Sequence, residues 1–303
     1  MDMIKTLGSA GIIPVIVIED LAKAVPLARA LVKGGLPVLE VTFRTACAAE
    51  AIAKIKAEVP GAVLGAGTVL TREQLLKAKA AGATFAVAPG FDPEIVKAAA
   101  AEGVPFCPGI ATASELSQAL ALGCKMVKFF PAEAAGGLPV IKAMSAPYGN
   151  IRFMPTGGIN AKNITSYLDY EKIVACGGTW MVKKDMINNH EWEKITSICK
   201  ESVKTMLGLS LAHVGINCEN AAEAEKTAKT LCALFGFEYK AGNSSDFAGS
   251  AVECMKAPYL GKNGHIAIGT NSIDRAMYHL GTKGVEFYEF TRKTVAKGNK
   301  KAI

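Results

Sequence analysis

Several patterns that mark other classes of protein are missing from this chain of 303 residues. No run of about 18 or more apolar residues occurs, so we expect no transmembrane helix. The first residues have neither the basic region nor the apolar core of a signal peptide, which predicts a cytoplasmic protein. None of the eight cysteines belongs to a CxxC pair, and this favours reduced, buried thiols over a disulfide framework.

Histidine is scarce, and nucleotide-binding motifs are absent. The chain has four histidines, of which His190 is the first, so a zinc site or a histidine-activated nucleophile is not expected before it. No Walker sequence or GxGxxG motif occurs between a strand and a helix, and the sequence therefore predicts no bound cofactor. The net charge of +7 suits small anionic metabolites. The basic tail lacks interleaved aromatic residues, which favours a solvated end over a nucleic-acid site; it contains Arg292, Lys293, Lys297, Lys300 and Lys301.

Strand-like and helix-like segments alternate along the first two thirds of the chain. The helix-like segments begin at capping residues such as Thr71 and Asp92, and several end at glycine. This alternation predicts an α/β fold made of βα units. Eight units predict a (β/α)8 barrel, with an open doubly wound sheet as the alternative. The predicted strands are Ile12–Ile18, Val38–Phe43, Ala62–Thr68, Thr84–Ala88, Val104–Cys107, Lys125–Phe130, Ile151–Pro155 and Lys172–Cys176.

The pattern changes after the predicted barrel, where the order strand, helix, strand occurs twice. Strands are predicted at Leu211–Asn217 and His265–Thr270, each followed by a helix, and a last strand at Val285–Phe290. We therefore expect a barrel domain over residues 1–207 and a smaller α+β domain over residues 208–303.

Three polar side chains share one face of the second predicted strand. Because side chains alternate along a strand, Glu40, Thr42 and Arg44 point to one side and apolar residues to the other. Inward side chains at the carboxyl ends of barrel strands form the active site. Since buried charges need partners, this face indicates either an internal pair between Glu40 and Arg44 or a catalytic site.

Lys128 lies at the end of the sixth predicted strand among apolar neighbours. It shares a face with Met126 and Phe130, whereas Lys125 lies at the start of the strand with the opposite parity. Burial among apolar groups disfavours an ammonium, and a neutral amine can attack a ketone to form a Schiff base. A lysine that merely reaches solvent from the end of a strand is the structural alternative.

Glycine pairs mark the last two predicted strands. The segments TGG at 156–158 and GGT at 177–179 lie at the ends of these strands, where barrels commonly bind phosphate through backbone N–H groups. A third segment, GAGT at 65–68, has glycines beside Thr68 that let a ligand approach the backbone. These segments predict a phosphate site on the same side of the barrel as Lys128.

Five motifs together resemble one family. They are LEVTFRT at 39–45, GAGTV at 65–69, APG at 88–90, VKFFPAE at 127–133 and PTGGI at 155–159. In this order they are similar to the 2-keto-3-deoxy-6-phosphogluconate (KDPG) / 4-hydroxy-2-oxoglutarate (KHG) aldolase family. The resemblance implies a class I aldolase on a (β/α)8 barrel, a homotrimer that acts on small keto acids and needs no metal or cofactor.

The resemblance also implies roles for individual residues. Lys128 is expected to form the Schiff base and Glu40 to act as general acid and base. The expected products are pyruvate and either glyceraldehyde 3-phosphate or glyoxylate. The expected substrate-binding residues are Arg44 and Thr68 at the pyruvate carboxylate, Pro89 and Phe130 in the pyruvate pocket, and Thr156, Gly157, Gly158, Gly177, Gly178 and Thr179 on the substrate side. Members of the family often have serine where Thr179 stands, and threonine keeps the hydroxyl.

The second domain is similar to the vicinal-oxygen-chelate (glyoxalase/bleomycin-resistance) fold. The similarity rests on LAHVGI at 211–216, LFGF at 234–237 and GHIAI at 264–268. Such a domain has two βαβββ modules, and the second stops soon after its second strand, so we expect it to be incomplete. The resemblance implies metal ligands on the strands, with His213, Glu253 and His265 as candidates for Zn, Ni or Mn. Packing residues of a repeated module are the alternative.

Two other functions fit parts of the sequence. A phosphate-binding barrel isomerase or synthase accounts for the glycine pairs but not for Lys128. A metabolite-binding protein would act through the second domain. The aldolase accounts for both the lysine and the glycines, and the sequence favours it.

Overall fold

A computed structural model describes residues 2–259 and 261–288, together with the backbone of residues 301–302. Contacts within the chain divide it into two compact units, Met1–Met206 and Leu207–Ile303. In the part of the chain described here, no helix has the length and apolar character that a membrane crossing requires.

Short parallel strands build the sheet of the first unit. Hydrogen bonding gives the orders β5-β4-β3-β2-β1-β9 and β6-β7-β8. Two parallel bridges, Phe153 to Ile173 and Thr156 to Gly177, join β8 to the segment that contains β9 and so close the sheet. The strands are β1 Ile12–Ile16, β2 Val38–Thr42, β3 Val63–Gly67, β4 Phe85–Val87, β5 Phe106–Cys107, β6 Gly109–Ile110, β7 Met126–Phe129, β8 Arg152–Pro155 and β9 Cys176–Gly178.

The closed sheet confirms the predicted (β/α)8 barrel and excludes the open doubly wound alternative. The short strands β5 and β6 are two parts of the fifth barrel strand, interrupted at Pro108, which cannot donate to a neighbouring strand. The carbonyl of Pro108 still accepts from the Lys128 amide at 2.8 Å. The last strand was predicted at Lys172–Cys176 but lies at Cys176–Gly178. Within the predicted range, Ile173 forms only an isolated bridge to Phe153 of β8, and continuous pairing begins at Cys176.

Helices cover the outside of the barrel. Side chains cap several of them: Thr71 accepts from the amide of Gln74, and Thr112 forms a capping box with Glu115. The strands β1 and β2 are buried at every residue, since one face points into the barrel and the other against these helices. The helices are α1 Met3–Ala10, α2 Ala24–Lys33, α3 Ala48–Glu58, α4 Arg72–Ala81, α5 Pro93–Ala101, α6 Ala113–Ala121, α7 Gly137–Ser145, α8 Ile164–Leu168, α9 Lys184–Asn188 and α10 Trp192–Leu207.

The second unit is a sheet flanked by two helices, α11 Ala221–Phe235 and α12 Ile273–Gly281. The sheet order is β11-β12-β13-β10-β14-β15, with β10 parallel to β13 and antiparallel to β14. Its strands are β10 Ser210–Asn217, β11 Tyr239–Ala241, β12 Ser245–Ala248, β13 Val252–Met255, β14 Gly264–Thr270 and β15 Lys301–Ala302.

The end of the second unit departs from the predicted pattern. Within the predicted strand Val285–Phe290, residues 285–288 form no strand, and Glu289 and Phe290 lie outside the described residues. Most of the basic tail lies outside them as well, namely Arg292, Lys293, Lys297, Lys300 and the side chain of Lys301.

Candidate active site

A buried ion pair joins β2 to β7 inside the barrel. The Lys128 Nζ lies 3.1 Å from the Glu40 Oε1 and donates a hydrogen bond to it. Lys128 is 4% exposed and Glu40 is fully buried. A buried ion pair is a weak source of stability, because desolvation offsets most of its attraction. Its burial therefore points to a functional role rather than to structural support.

The sequence suggested that Glu40 could pair with Arg44, but the structure pairs it with Lys128. Arg44 is exposed, and its Nε donates to the Thr68 Oγ1 at 3.3 Å. Thr42, on the same face of the strand, donates instead to the carbonyl of Ile16 at 2.9 Å and is buried. Strand β2 thus provides Glu40 for the ion pair and Thr42 for a bond within the sheet, and Arg44 follows the strand at the mouth of the barrel.

Gly67 makes room for the Glu40 carboxylate. A Cβ at this position would lie 2.3 Å from the Glu40 Oε1 and 2.7 Å from its Cγ. Gly67 thus positions the Glu40 side chain. The sequence patterns did not predict this role, although Gly67 belongs to the GAGT segment that they singled out. The next residue, Thr68, has a φ of +56°, a conformation that is strained for a β-branched side chain.

Within the described part of the first unit, two buried side-chain oxygens have no hydrogen-bond partner: the Glu40 Oε2 and the Thr156 Oγ1. Buried polar atoms normally have partners, so each is suited to a bound water or substrate group. Phe130 lies beside the ion pair, with its ring centroid 5.5 Å from the Lys128 Nζ. Pro89 is half-buried. Its backbone lies so close to Gly109 that a side chain at position 109 would overlap it.

The two glycine pairs have different roles. Gly157 and Gly158 have φ values of +101° and +81°, in the loop that follows β8, as expected. Gly177 and Gly178 belong to β9 itself and pair with β1, so they do not form the loop predicted after that strand. Close packing explains why both positions are glycine. A Cβ at Gly177 would lie 2.3 Å from the Thr156 Oγ1, and a Cβ at Gly178 would overlap the Trp180 ring.

A cavity of about 610 Å³ opens between Arg44 and Thr179, within the usual size range for small-molecule sites. Four basic residues line it against two acidic ones. Lys184 pairs with Glu19 at 2.8 Å. The lining keeps an excess of positive charge, which suits an anion. The charged lining residues are Glu19, Asp20, Lys23, Arg44, Lys183 and Lys184.

All eight cysteines are free, and five of them are buried. Burial raises the pKa of the Cys107 thiol well above its usual range, which makes it unreactive as a nucleophile. In the second unit, the three metal-ligand candidates His213, Glu253 and His265 lie together, with one donor atom of each within 4.8 Å of the others.

Comparison with known proteins finds similarity over the first unit. The family model described as KDPG and KHG aldolase matches residues 3–198. The 2-dehydro-3-deoxy-phosphogluconate aldolase of Treponema pallidum (strain Nichols) is 46% identical over 200 residues, which are 66% of this chain and 95% of that protein. The KHG/KDPG aldolase of Escherichia coli (strain K12) is 45% identical over 198 residues, 65% of this chain and 93% of that protein.

A solved structure has the same fold. The crystal structure of KDPG aldolase from Legionella pneumophila holds pyruvate, captured at low pH as a covalent carbinolamine intermediate. It is 43% identical to this chain with a TM-score of 0.64, and the match covers 66% of this chain and 98% of that one.

Proposed function

Because the chain belongs to the KDPG and KHG aldolase family, we propose that its first unit is a class I aldolase, a lyase that releases pyruvate from a 4-hydroxy-2-keto acid. The substrate is KDPG, 4-hydroxy-2-oxoglutarate or both, and the second product is glyceraldehyde 3-phosphate or glyoxylate. The buried pair of Lys128 and Glu40 carries the proposal, because it supplies a nucleophile and a proton acceptor in direct contact. An isomerase or synthase of phosphorylated metabolites accounts for the glycine pairs but does not require a lysine nucleophile.

The hydrogen bond between the two residues supports the first step. Transfer of a proton from the Lys128 Nζ to Glu40 leaves an amine that attacks the C2 ketone to form a carbinolamine. Glu40 returns the proton to the departing hydroxyl, which leaves as water, and a protonated imine forms. The imine then accepts the electrons of the C3–C4 bond.

Glu40 is again a carboxylate at this point and serves the second step. It takes the proton of the C4 hydroxyl as the C3–C4 bond breaks and the aldehyde forms. The same proton goes to C3 of the pyruvate enamine, and hydrolysis of the resulting imine frees Lys128. One buried carboxylate can therefore serve every proton transfer.

Arg44 and Thr68 hold the carboxylate of the keto acid in this proposal. Arg44 lies at the carboxyl end of β2 and already contacts the Thr68 hydroxyl, so both present donors to one place. Phe130 and Pro89 supply the apolar side of the pyruvate pocket, and Thr156, Gly157 and Gly158 line the path of the remainder of the substrate. Gly177 and Gly178 act indirectly, through the space they leave for Thr156 and Trp180.

The test is reductive trapping on the full chain. Borohydride added with pyruvate reduces the imine to a stable secondary amine, and peptide mass spectrometry locates it. We expect one reduced pyruvate on Lys128. Lactate has no ketone and serves as the control. A folded chain that gives no adduct, or an adduct on another lysine, would contradict the proposal.

Thr179→Val should weaken the binding of a phosphorylated substrate and leave that of an unphosphorylated substrate unchanged. Thr179 lines the same positively charged cavity as Arg44, and its hydroxyl is suited to donate to a phosphate oxygen. A hydrogen bond to a charged group contributes about 1.5–3 kcal/mol, so KM for KDPG should rise about tenfold or more. KM for 4-hydroxy-2-oxoglutarate, which has no phosphate, is the internal control. Equal changes for both substrates would place Thr179 outside the phosphate site.

We also propose that residues 1–207 form the aldolase domain and residues 208–303 a glyoxalase-like domain. The order β10-α11-β11-β12-β13 is one βαβββ module, and β14-α12 begins a second. Helix α10 belongs with the barrel, since Thr196 donates to the carbonyl of Ala30 and Trp180 donates to Ser202. A homotrimer is the assembly that the family resemblance implies, and the cytoplasm is the location that we propose.

A chain ending after residue 207 should therefore fold and keep aldolase turnover close to that of the full chain. The family model matches residues 3–198, and the alignments with the T. pallidum and E. coli relatives, over 200 and 198 residues, cover 95% and 93% of those proteins. Steady-state cleavage and circular dichroism measure the outcome. A matched chain ending at residue 190, which lacks α10, should fail to fold. Unfolding of the longer chain would make the second unit part of the barrel's structure.

A further inference from the structure

Two neighbouring loops at the carboxyl ends of the barrel strands are bonded to each other. One, the TGG loop, follows β8 and consists of Thr156, Gly157 and Gly158; the other follows β7 and contains Ala132 and Glu133. The Ala132 amide donates to the carbonyl of Thr156 at 2.8 Å, and the Glu133 amide donates to the carbonyl of Gly157 at 3.0 Å. The segment after β7 therefore helps to set the position of the TGG loop.

The TGG loop lies between the pyruvate pocket and the Glu133 side chain. A Cβ at Gly157 would lie 3.5 Å from the Phe130 ring, on the side of the pocket. A Cβ at Gly158 would instead lie 2.5 Å from both the Cβ and the Cγ of Glu133. Because the stem of Glu133 packs directly on Gly158, the position of this side chain is coupled to that of the loop.

A buried tyrosine holds the carboxylate of Glu133. Glu133 is exposed, and an exposed glutamate keeps its rotamer freedom unless a bond fixes it. The Tyr167 hydroxyl, from α8, donates a hydrogen bond to the Glu133 Oε1, and Tyr167 itself is only 2% exposed. Burial raises the pKa of the Tyr167 hydroxyl well above its usual range, and the bond to Glu133 adds to the rise. The hydroxyl therefore keeps its proton at neutral pH and remains a donor.

A glycine and two asparagines complete the support of the loop. Gly137 leaves space for the bond, since a Cβ there would lie 2.9 Å from the Tyr167 Oη and 3.0 Å from the Glu133 Oε1. The carbonyl of Gly158 accepts from the side-chain amides of Asn160 and Asn163, at 3.0 and 3.2 Å. A loop supported in this way is suited to bind a substrate in one fixed geometry.

Packing alone does not require the Tyr167 hydroxyl. A phenylalanine would fill the same interior space, and burying a polar group costs free energy unless it finds a partner. The partner here is an exposed carboxylate whose stem packs on the TGG loop. The bond therefore connects the interior of the barrel wall to the part of the site that lies beyond the pyruvate pocket.

We propose that Tyr167 and Glu133 are positioning residues of the aldolase, and that their bond fixes the TGG loop for the part of the substrate beyond C3. This inference rests on the proposed function. Pyruvate comprises only C1 to C3 and is held by the nucleophilic lysine and the contacts of its carboxylate. The full substrates extend past C3 toward the TGG loop. Loss of the bond should therefore affect the full substrates and not pyruvate.

The test compares substrates of different length on the full chain. Tyr167→Phe removes the hydroxyl and keeps the ring. We expect kcat/KM for cleavage of KDPG and of 4-hydroxy-2-oxoglutarate to fall about tenfold or more, because a hydrogen bond to a charged group is lost. Trapping of pyruvate with borohydride should keep its wild-type rate and half-saturation concentration. Tyr170→Phe is the matched control: Tyr170 shares a hydrogen bond of 2.8 Å with the Ser145 Oγ, and its loss should leave both assays unchanged.

Variants of the exposed Glu133 carry the test even if Tyr167→Phe does not fold, which circular dichroism measures. Glu133→Ala removes the acceptor and should reproduce the loss of kcat/KM. Glu133→Gln still accepts from Tyr167 and should keep most of the wild-type value. The double variant Tyr167→Phe with Glu133→Ala should be no worse than either single variant, because the two residues act as one unit.

Three results would overturn the positioning role. The first is wild-type cleavage in Glu133→Ala or in a folded Tyr167→Phe. The second is an equal loss of cleavage and of pyruvate trapping, because the change would then affect the whole barrel. The third is a Glu133→Gln chain as impaired as Glu133→Ala, since the charge and not the bond would then matter. Failure of the wild-type chain to trap pyruvate is a separate outcome, which refutes the proposed aldolase before any variant is compared.

Discussion

Lys128→Met is expected to abolish both cleavage of the substrate and trapping of pyruvate. Methionine fills similar space but has no amine, so no bond to the C2 ketone can form. Turnover should fall by far more than about 100-fold, because loss of a covalent catalyst leaves only the contribution of binding and positioning. Steady-state cleavage assays and mass spectrometry of the borohydride-treated chain measure the two effects.

Lys125→Met is the matched control for this variant. Lys125 lies three residues earlier, immediately before β7, and is exposed. It should keep full turnover and the adduct on Lys128. A folded Lys128→Met chain that retains more than about one hundredth of the wild-type turnover would show that another residue is the nucleophile.

Loss of fold must be separated from loss of chemistry in this experiment. Lys128→Met leaves the fully buried Glu40 carboxylate without its ion pair, and breaking a buried pair costs about 3–5 kcal/mol of folding stability. The double variant Lys128→Met with Glu40→Gln removes the unpaired charge and should recover part of the lost stability. A folded but inactive double variant then supports the chemical role of the pair.

The local pattern of the sequence was sufficient to predict the residues of the pair. Alternation along β2 put Glu40 on the inner face, and parity along the predicted strand Lys125–Phe130 separated Lys128 from Lys125. The partner of Glu40 could not be predicted in the same way, because Lys128 comes from a strand 88 residues away and the contact depends on how the barrel closes. Arg44, nearer in sequence, reaches Thr68 instead.

Close approaches between strands were the other part that sequence patterns missed. Gly67 and Gly177 look like ordinary strand or loop glycines, yet each leaves space for a side chain of the neighbouring strand, Glu40 or Thr156. The break of a barrel strand at Pro108 and the shift of β9 have the same origin, since both depend on which backbone groups find partners across the sheet.

In the second unit, too, strand register brings together side chains that are far apart in the sequence. His213 and His265 stood out in the sequence as the histidines that open two strands. Their distance from each other and from Glu253 depends on the register of β10 with two neighbours, one parallel and one antiparallel. No periodicity within a single segment contains that information. Gly215, which pairs with both Glu253 and His265, is the residue that sets the geometry.

Glu40→Gln should separate imine formation from carbon–carbon cleavage. Glutamine keeps the shape that Gly67 accommodates and can still accept a hydrogen bond from Lys128, but it cannot take a proton. General acid–base catalysis contributes about 10²–10⁴-fold, so turnover should fall by that factor while pyruvate is still trapped slowly on Lys128. Wild-type and variant chains are compared in the same cleavage and trapping assays.

Exchange at the pyruvate methyl group gives a sharper measure of the same role. Formation of the enamine requires removal of a C3 proton from the imine, and in D₂O its return as deuterium is followed by NMR. We expect rapid exchange with the wild-type chain and loss of exchange in Glu40→Gln. Glu50→Gln, an exposed carboxylate on the helix after β2, is the control and should exchange like wild type. Undiminished exchange in Glu40→Gln would remove Glu40 from the proton transfers, even if Lys128 remains the nucleophile, because another group would then have to carry the C3 proton.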